Sequence, residues 1–289
     1  MRNGTGQPLA DRGATLRRHR EDGLALEHGQ APQAVIELVS ANLAGDRTRL
    51  EAVLAPGLEL QDHRLDPILP FADRDGVISG MVQFGADCFD MRLLAVRGDL
   101  FSLLRVKVER DGMEPGDMLS VCGSRPDGVI DRMHVFDAAD LSEALRTLAL
   151  MWAETLETAE GRALLTVVAY LRTLSARAFD ATDPFGDDGF VHVDDREGGT
   201  LVLNRDESRS LFAGILQDDP TLIDYATEIQ AVGPHGLVAS RTQATIDTLG
   251  VTDTEVALVA LNHDGLVTLL EFYDHDDLDR ALTRFAAIG

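Results

Sequence analysis

The chain has 289 residues, of which 45% are hydrophobic, and its 49 acidic and 26 basic residues give a net charge of −23. A chain of this length folds as one large domain or as two of ordinary size. The negative charge repels phosphate backbones and anionic membranes, which argues against nucleic acid and membranes as partners. No apolar run approaches the ~20 residues that a membrane helix needs.

Two features indicate a cytoplasmic protein. The first 30 residues are polar, and no apolar segment follows their basic cluster RRHR at 17–20. We therefore expect a polar N-terminal arm over residues 1–30, as a loose segment or short helix, and no secretory signal. The two cysteines, Cys88 and Cys122, have neither CxxC spacing nor metal ligands beside them, so we expect reduced core thiols.

The predicted elements begin with a helix over 32–44, where apolar residues recur at helical spacing. A short strand over 57–64 follows, and then a helix that starts near Arg74. Antiparallel strands are predicted next at 92–97, 101–110, 117–123 and 129–136. A helix that Asp140 can cap at its N-terminus closes this half of the chain.

The second half of the chain predicts the same order of elements. Its first helix, over 162–178, precedes a strand over 189–196 and a helix that starts near Arg205. Antiparallel strands are predicted at 226–232, 237–247, 255–262 and 266–273, before a helix that Asp277 can cap. Residues 148–161 contain no proline, and no glycine before their last residue, so the two halves should be joined by almost continuous helix.

The two halves also share sequence. Residues 127–145, DGVIDRMHVFDAADLSEAL, match 264–282, DGLVTLLEFYDHDDLDRAL, at seven of 19 positions. Upstream, GLELQDHR at 57–64 lines up with GFVHVDDR at 189–196, so each copy carries an Asp-x-Arg sequence. A repeat of this length indicates duplication of a whole domain.

We therefore predict an α+β fold of two tandem units, 31–150 and 151–289. In each unit, helices should pack on one face of a curved antiparallel sheet that encloses a concave interior. We also expect the two repeated units to form a pseudo-dimer within one chain.

These units resemble SnoaL-like domains of the NTF2-like, ketosteroid-isomerase-like superfamily. The resemblance rests on DHR at 62–64, on FDAADLSEAL at 136–145 and on YDHDDLDRAL at 273–282. These sequences look like those of an actinobacterial subgroup of such domains. It covers about residues 32–289, with one domain of this kind in each half. It implies a cone-shaped, mostly apolar pocket in each unit and a small hydrophobic molecule as partner. We expect no cofactor and no metal, since phosphate-binding glycine loops and HxH or HExxH sequences are missing.

The resemblance also implies candidate catalytic residues. Enzymes of the superfamily often use an acid at the end of the first strand as a general base, and the matching positions are Asp62 and Asp194. In the isomerases a tyrosine on the first helix polarises the substrate carbonyl. Counting back 24 residues reaches Tyr170 from Asp194, but Leu38 from Asp62. The second unit thus has a phenol and a carboxylate for one pocket, while the first unit lacks the phenol.

Strand alternation places further side chains on the same face as these acids. The aligned sets are Phe190, His192, Asp194 and Arg196 in the second unit and Leu58, Leu60, Asp62 and Arg64 in the first. A buried carboxylate abstracts protons near neutral pH, whereas a paired arginine lowers its pKa. The Asp-Arg pairs could instead be structural, tying the strand end to the helix start at Arg74 or Arg205. His192, Phe190 and His134, the last on a later strand, are candidate ligand-binding residues.

Two functions fit this sequence. The first is an acid-base isomerase, cyclase or epoxide-opening enzyme for a small polyketide-like metabolite, with Asp194 as base, Tyr170 as hydrogen-bond donor and Arg196 as orienting cation. The second is a non-catalytic tandem module that binds a small molecule or regulates a partner. The second acid of the isomerases falls near Ser120 and Ala257, and neither is a carboxylate, which favours the module, as does the divergence of the two units. The spacing of Tyr170 and Asp194 favours the enzyme, and of the two functions we expect the enzyme.

Overall fold

The computed structural model describes residues 15–18, 29–65, 73–110, 114–175, 185–196, 199–218, 222–245 and 251–288. The chain divides into two compact units, Met1–Leu148 (unit one) and Ala149–Gly289 (unit two). The domain limits of 31–150 and 151–289 stay a prediction, since compactness alone does not establish a domain.

Unit one begins with a strand, continues with three helices and a second strand, and ends with a four-stranded meander and a closing helix. Its elements are β1 (Thr15–Arg18), α1 (Gln30–Ala44), α2 (Arg47–Val53), β2 (Leu54–Asp62), α3 (Arg74–Phe84), β3 (Cys88–Arg97), β4 (Phe101–Glu109), β5 (Gly116–Ser124), β6 (Ile130–Asp137) and α4 (Leu141–Ala153), which crosses the limit between the units. Strands β3 to β6 pair antiparallel, and β2 joins β6 in parallel, so the strand order is β2-β6-β5-β4-β3. β1 pairs in parallel with β3, where the sequence predicts a loose arm or short helix. The rest of that arm up to residue 28 lies outside the described residues.

Unit two repeats this arrangement. Its elements are α5 (Thr158–Ser175), β7 (Gly186–Asp194), β8 (Leu201–Leu203), α6 (Arg205–Asp218), β9 (Leu222–Gly233), β10 (Gly236–Thr245), β11 (Val251–Leu261), β12 (Val267–Asp274) and α7 (Leu278–Ile288). The strand order β9-β10-β11-β12-β7-β8 contains the order of unit one, with β7 again parallel to the last meander strand. The predicted α+β fold of two tandem units is therefore confirmed.

The ends of two helices differ from the prediction. The helix expected to run through 148–161 is interrupted at residues 154–157, between α4 and α5. Asp277, expected to cap α7, instead lies in a 3₁₀ turn over His275–Asp277, and its carboxylate is 3.6 Å from the guanidinium of Arg280.

The repeated Asp-Gly turns have the same backbone conformation in both units. Gly128 has φ of 79° and Gly265 has φ of 81°. Glycine adopts these positive φ angles readily because it has no Cβ. The sequence identity at these positions therefore reflects a shared turn before β6 and β12.

The sheet of unit two has two differently packed faces, because successive side chains of a strand alternate. Ala257 and Val259 of β11 belong to the core that contains α5, whereas Val256 and Leu258 belong to the cluster that packs against α7. We call the first the inner face and the second the outer face. In unit one the inner face packs against α1, and Leu38 lies in its core.

Among the residues that the structure describes, we find no helix with both the length and the apolar character that crossing a membrane requires.

Candidate functional site

Each unit carries an Asp-Arg ion pair at the end of its first long strand. In unit two, Nε and Nη2 of Arg196 donate to Oδ1 and Oδ2 of Asp194 at 2.8 and 2.6 Å. In unit one, the same atoms of Arg64 donate to Asp62 at 2.8 and 2.5 Å. Both predicted pairs thus form, with the same bidentate geometry.

The arginines make both carboxylates stronger acids. Hydrogen bonds from Arg196 hold the pKa of Asp194 below its usual value, although burial opposes this. Burial also raises the pKa of Asp62, but the hydrogen bonds and charge of Arg64 together outweigh it, so that the pKa lies below its usual value. A general base that works near neutral pH needs the opposite shift.

The pairs do not tie the strand end to the next helix, as the structural alternative proposed. Nε of Arg74 donates instead to the backbone carbonyl of Leu54 at 2.8 Å. Arg205 has a guanidinium nitrogen 3.8 Å from Asp188, whose side chain is fully exposed.

In unit two the ion pair extends into a network of alternating charges across the inner face. Arg196 also donates to Glu255 of β11, Glu255 accepts from Arg241 of β10, and Arg241 donates to Asp224 of β9. We call Asp194, Arg196, Glu255, Arg241 and Asp224 the charge network. The side chains of Glu255 and Arg241 are only 3% and 7% exposed, so each depends on its partners for stability.

The register of the strands shows what unit one has in the same places. Glu255 lies opposite Arg241 and opposite the aspartate that ends β12. Met118 lies opposite Val106 and opposite the aspartate that ends β6. Met118 and Val106 therefore replace the central ion pair of the charge network, and a guanidinium nitrogen of Arg64 lies 3.9 Å from the sulfur of Met118.

Aromatic rings surround Arg241 of the charge network. The guanidinium of Arg241 lies 4.5 Å from the ring centroid of Phe272 and 5.8 Å from that of Phe212. The imidazole of His192 stacks on Phe212, with centroids 5.6 Å apart, and meets Phe272 edge-on at 5.1 Å. A desolvated guanidinium that lies over aromatic rings, as Arg241 does, is stabilised by about 2 kcal/mol.

His192 is the most enclosed of the predicted site residues. It is 1% exposed, and its Nδ1 lies 2.9 Å from Oγ of Ser208 on α6. Its Nε2 is buried and has no hydrogen-bond partner among the described residues. Burial lowers the pKa of the imidazole to about 4, so His192 is neutral at pH 7.

Tyr170 lies on α5, and its side chain helps to line a small enclosed cavity. The cavity has a volume of about 10 Å³, and its lining includes Tyr170, Phe190, Arg205, Ser208, Arg209 and Phe212. Burial raises the pKa of Tyr170 to about 12, so its phenol is neutral. The volume matches roughly one water molecule, which is far below the ~300 Å³ of a typical ligand pocket. This cavity is therefore too small for a ligand in this structure, whereas the resemblance implies a cone-shaped pocket in each unit.

A wider groove lies on the outer face of unit two. Its volume is about 650 Å³, and its lining includes Val193, Asp195, Tyr273, Arg280 and Arg284. Two ion pairs lie in this lining: Arg280 binds Asp195, and Arg284 lies 3.3 Å from Glu271, which also accepts from the hydroxyl of Tyr273 at 2.8 Å. We call this the outer groove.

The inner face of unit one is apolar where that of unit two is polar. The matched positions are Leu38 for Tyr170, Leu60 for His192, Val77 for Ser208, Ile78 for Arg209, Val106 for Arg241 and Met118 for Glu255. All six side chains of unit one lie in its apolar core or pack against it. The helix positions follow from aligning the first residues of α3 and α6, Arg74 and Arg205.

His134 lies away from this face. Its neighbours on β6, Met133 and Val135, belong to the inner core of unit one, so alternation places His134 on the opposite face. Its Nδ1 is 3.1 Å from Nε2 of His63. We do not carry His134 into the site. The described residues also contain no group of three or more potential side-chain ligands for a metal ion.

Strand alternation missed several residues that the fold adds to the predicted ones. Ser208 and Arg209 come from α6, and Asp224, Arg241 and Glu255 come from the meander. One signal was present in the sequence, since Glu255 directly precedes the apolar run VALVAL at 256–261. Its partners follow only from the strand register.

The sequence matches no family model and no curated protein. Solved structures do match at the level of the fold. A proposed isomerase of the SnoaL-like family from Agrobacterium tumefaciens has a TM-score of 0.32 and 14% identity, covering 39% of this chain and 96% of that one. An NTF2-like protein of unknown function from Cytophaga hutchinsonii has a TM-score of 0.30 and 12% identity, covering 38% and 86%. A proposed polyketide cyclase from Xanthomonas campestris has a TM-score of 0.28 and 19% identity, covering 40% and 91%.

These proteins are of the NTF2-like and SnoaL-like kind that the sequence resembles. Each covers about two fifths of this chain. The resemblance is confirmed for the fold, and for the fold alone.

Proposed function

We propose that the protein is a small-molecule-binding module whose binding site is the inner face of unit two. The ligand is a small hydrophobic molecule with a polar group that meets Tyr170 and His192. The observation that carries this proposal is the contrast between the units. Six inner positions that are apolar in unit one are polar or charged in unit two.

The contrast supports a site because polar groups are costly to bury. A buried polar group without full hydrogen bonding costs about 1–3 kcal/mol. Unit one shows that this topology forms with apolar side chains at the same places. The polar set of unit two, with Nε2 of His192 buried and unpartnered among the described residues, is therefore not a requirement of the fold. Sites that break a packing rule in this way are typically functional.

The state of Asp194 favours binding over acid-base catalysis. Its carboxylate accepts two hydrogen bonds from Arg196, which lower its pKa. A carboxylate held in this way is a weak base at neutral pH. Asp194 and Arg196 therefore hold the charge network in place.

Binding at this cavity requires it to widen, because it holds about one water molecule in this structure. Tyr170 and Phe212 both line the cavity, and Phe212 also contacts the ring of Phe272, so a movement of these side chains would enlarge it. A ligand that binds only the open state has its affinity reduced by the fraction of open molecules.

Native mass spectrometry and solvent extraction of the purified protein test this proposal. The wild type should retain a small hydrophobic molecule, and the variant Tyr170→Leu/His192→Leu, which carries the residues of unit one, should lose it. Tyr273→Phe is the matched control, since Tyr273 lies on the outer face. Retention of the same molecule by the double variant, or its loss from the control, would contradict a site at the inner face of unit two.

The second candidate is the acid-base enzyme, with Asp194 as base, Tyr170 as hydrogen-bond donor and Arg196 as orienting cation. One observation favours it. The negative charge of Asp194 acts to raise the pKa of His192, and Phe212, which stacks on His192, also lines the cavity beside Tyr170. Asp194→Asn should abolish turnover of the extracted molecule while leaving its binding intact. Full turnover in that variant would remove Asp194 from the mechanism.

Four expectations from the sequence remain proposals: the intrachain pseudo-dimer, with further oligomerisation left open, the cytoplasmic location, and the exclusion of nucleic acid and of membranes as partners. Size measurements on the intact chain and fractionation of the native host test them.

A further inference from the structure

We infer that the cavity of unit two recognises an anionic group, such as a carboxylate or sulfonate, on an otherwise apolar ligand. Arg205 and Arg209 would hold this group, assisted by the hydroxyls of Tyr170 and Ser208. This inference rests on the proposed binding function and adds the chemical class of the ligand.

The charges around the cavity are the reverse of those of the whole protein. The chain carries 49 acidic and 26 basic residues. Two arginines nevertheless line the cavity, and no carboxylate is among the described residues that line it. Guanidinium groups bind carboxylates and related anions through paired, charge-assisted hydrogen bonds. An anion would otherwise be repelled by this strongly acidic protein, so a local cationic lining favours a ligand that needs it.

The helix α6 arranges these groups in order along one face. Arg205, Ser208, Arg209 and Phe212 are spaced at i, i+3, i+4 and i+7, so their side chains follow one another along the helix. The arginines lie towards the start of α6, while Phe212 lies deeper, stacked on His192. The lining thus changes from cationic to aromatic over two helical turns. A ligand with an anionic end and an apolar ring body matches that order.

Arg205 is placed to accept a ligand without losing a strong contact. One of its guanidinium nitrogens lies 3.4 Å from the backbone carbonyl of Gly186, and the pair with the fully exposed Asp188 is 3.8 Å long. The side chain of Arg205 is 34% exposed. Exposed ion pairs of this length contribute little, so an anion at the cavity can compete with Asp188.

Unit one lacks the same set. Arg74, at the position of Arg205, donates to the backbone carbonyls of Leu54 and Glu51. Ile78 and Leu38 stand where unit two has Arg209 and Tyr170. The chain therefore has a built-in comparison, in which one copy of the fold has a cationic lining and the other does not.

A pair of fluorescent dyes tests the inference directly. Anilinonaphthalene sulfonate has an apolar ring system and one negative charge, and phenylnaphthylamine has the same ring system without the charge. Both are titrated into the full-length protein, the variants Arg209→Gln, Arg209→Lys and Tyr170→Leu, and the control Arg280→Gln in the outer groove. Circular dichroism of each variant shows that the fold is kept.

The sulfonate dye should bind the wild type more tightly than the neutral dye. Arg209→Gln should weaken the sulfonate dye about tenfold and leave the neutral dye unchanged, because one charge-assisted hydrogen bond is lost. Arg209→Lys, which keeps the charge, should retain most of the preference and shows that a loss in Arg209→Gln is not a failure to fold.

Three results would overturn the inference, each in a distinguishable way. Equal binding of both dyes, lost together in Tyr170→Leu, would keep the binding function and reject the anion preference. A preference for the sulfonate dye that Arg280→Gln removes and Arg209→Gln does not would place the anion in the outer groove. Binding of neither dye would reject the anion site and count against the proposed binding function itself.

Discussion

Arg241 and Glu255 lie directly opposite each other on neighbouring strands of unit two and form a buried ion pair. The same two places in unit one hold Val106 and Met118, which also lie opposite each other. Two copies of one topology, with the same register, have therefore been given opposite interiors. This contrast makes unit one an internal control for unit two.

The central ion pair should be energetically coupled. Glu255→Met removes a carboxylate that accepts from both Arg196 and Arg241, and it should lower the free energy of unfolding of unit two by about 3 kcal/mol. The double variant Glu255→Met/Arg241→Val, which copies unit one, should be more stable than Glu255→Met, because the more deeply buried of the two cations that lose Glu255 is then also removed.

Denaturant unfolding followed by tryptophan fluorescence measures both variants. Trp152 is the only tryptophan of the chain and packs against the core of unit two, so its signal reports that unit. Costs that simply add in the double variant would show that the two residues are not coupled.

His192 should make the stability of unit two depend on pH. Burial lowers the pKa of the folded imidazole from 6.5 to about 4, so below pH 6.5 the unfolded chain binds a proton that the folded chain does not. Stability is therefore lost as the pH falls from 6.5 towards 4, at up to about 1.4 kcal/mol per pH unit. In His192→Leu this part of the acid sensitivity should be absent.

The comparison between His192→Leu and wild type at pH 7 and pH 4.5 isolates this effect, since the carboxylates titrate in both. His263→Gln is the control, because that imidazole is 87% exposed. Equal acid sensitivity of wild type and His192→Leu would show that His192 is accessible to protons in the folded state.

Two of the buried tyrosines of unit two, Tyr273 and Tyr170, should respond differently to loss of the hydroxyl. Tyr273→Phe removes a hydrogen bond to Glu271 at 2.8 Å and should cost about 1 kcal/mol without affecting ligand or dye binding. Tyr170→Phe removes a hydroxyl from the inner cavity and should weaken binding while changing stability by less than about 0.5 kcal/mol. Thermal unfolding and dye titration of the two variants check this, and a reversed pattern would place the binding site on the outer face.

The two Asp-Arg pairs should differ in their tolerance of neutralisation. Asp62→Asn leaves Arg64 beside the sulfur of Met118, a weak acceptor, whereas Asp194→Asn leaves Arg196 bound to the carboxylate of Glu255. Asp62→Asn should therefore lower the free energy of unfolding by about 2 kcal/mol and Asp194→Asn by about half as much. Chemical denaturation of both variants decides the order, and equal losses would show that Glu255 does not compensate.

The sequence by itself determined the repeated topology and part of the site. Local signals carry this information: apolar spacing for the helices, alternation for the strands, and Asp-Gly for the turns before β6 and β12. The Asp-x-Arg spacing also decides the pairs of Asp62 with Arg64 and Asp194 with Arg196, because residues two apart in a strand lie on the same face.

Only the tertiary structure decided what surrounds these pairs. Glu255 and Asp194 are 61 positions apart, and nothing local relates them; they meet through Arg196 because β7 adds to the sheet beside β12, which in turn pairs with β11. Alternation within β6 similarly removes His134 from the inner face, once the packing shows that Met133 and Val135 face the core that contains α1.

The small volume of the cavity beside Tyr170 is also decided by the tertiary structure. Tyr170 from α5 and Arg209 from α6 reach one place because both helices pack on the same face of the sheet. Side-chain volumes from several elements then decide how much space remains, and no periodicity in the sequence encodes that sum. Composition shows an acidic protein, while the tertiary structure shows that Arg205 and Arg209 line one cavity.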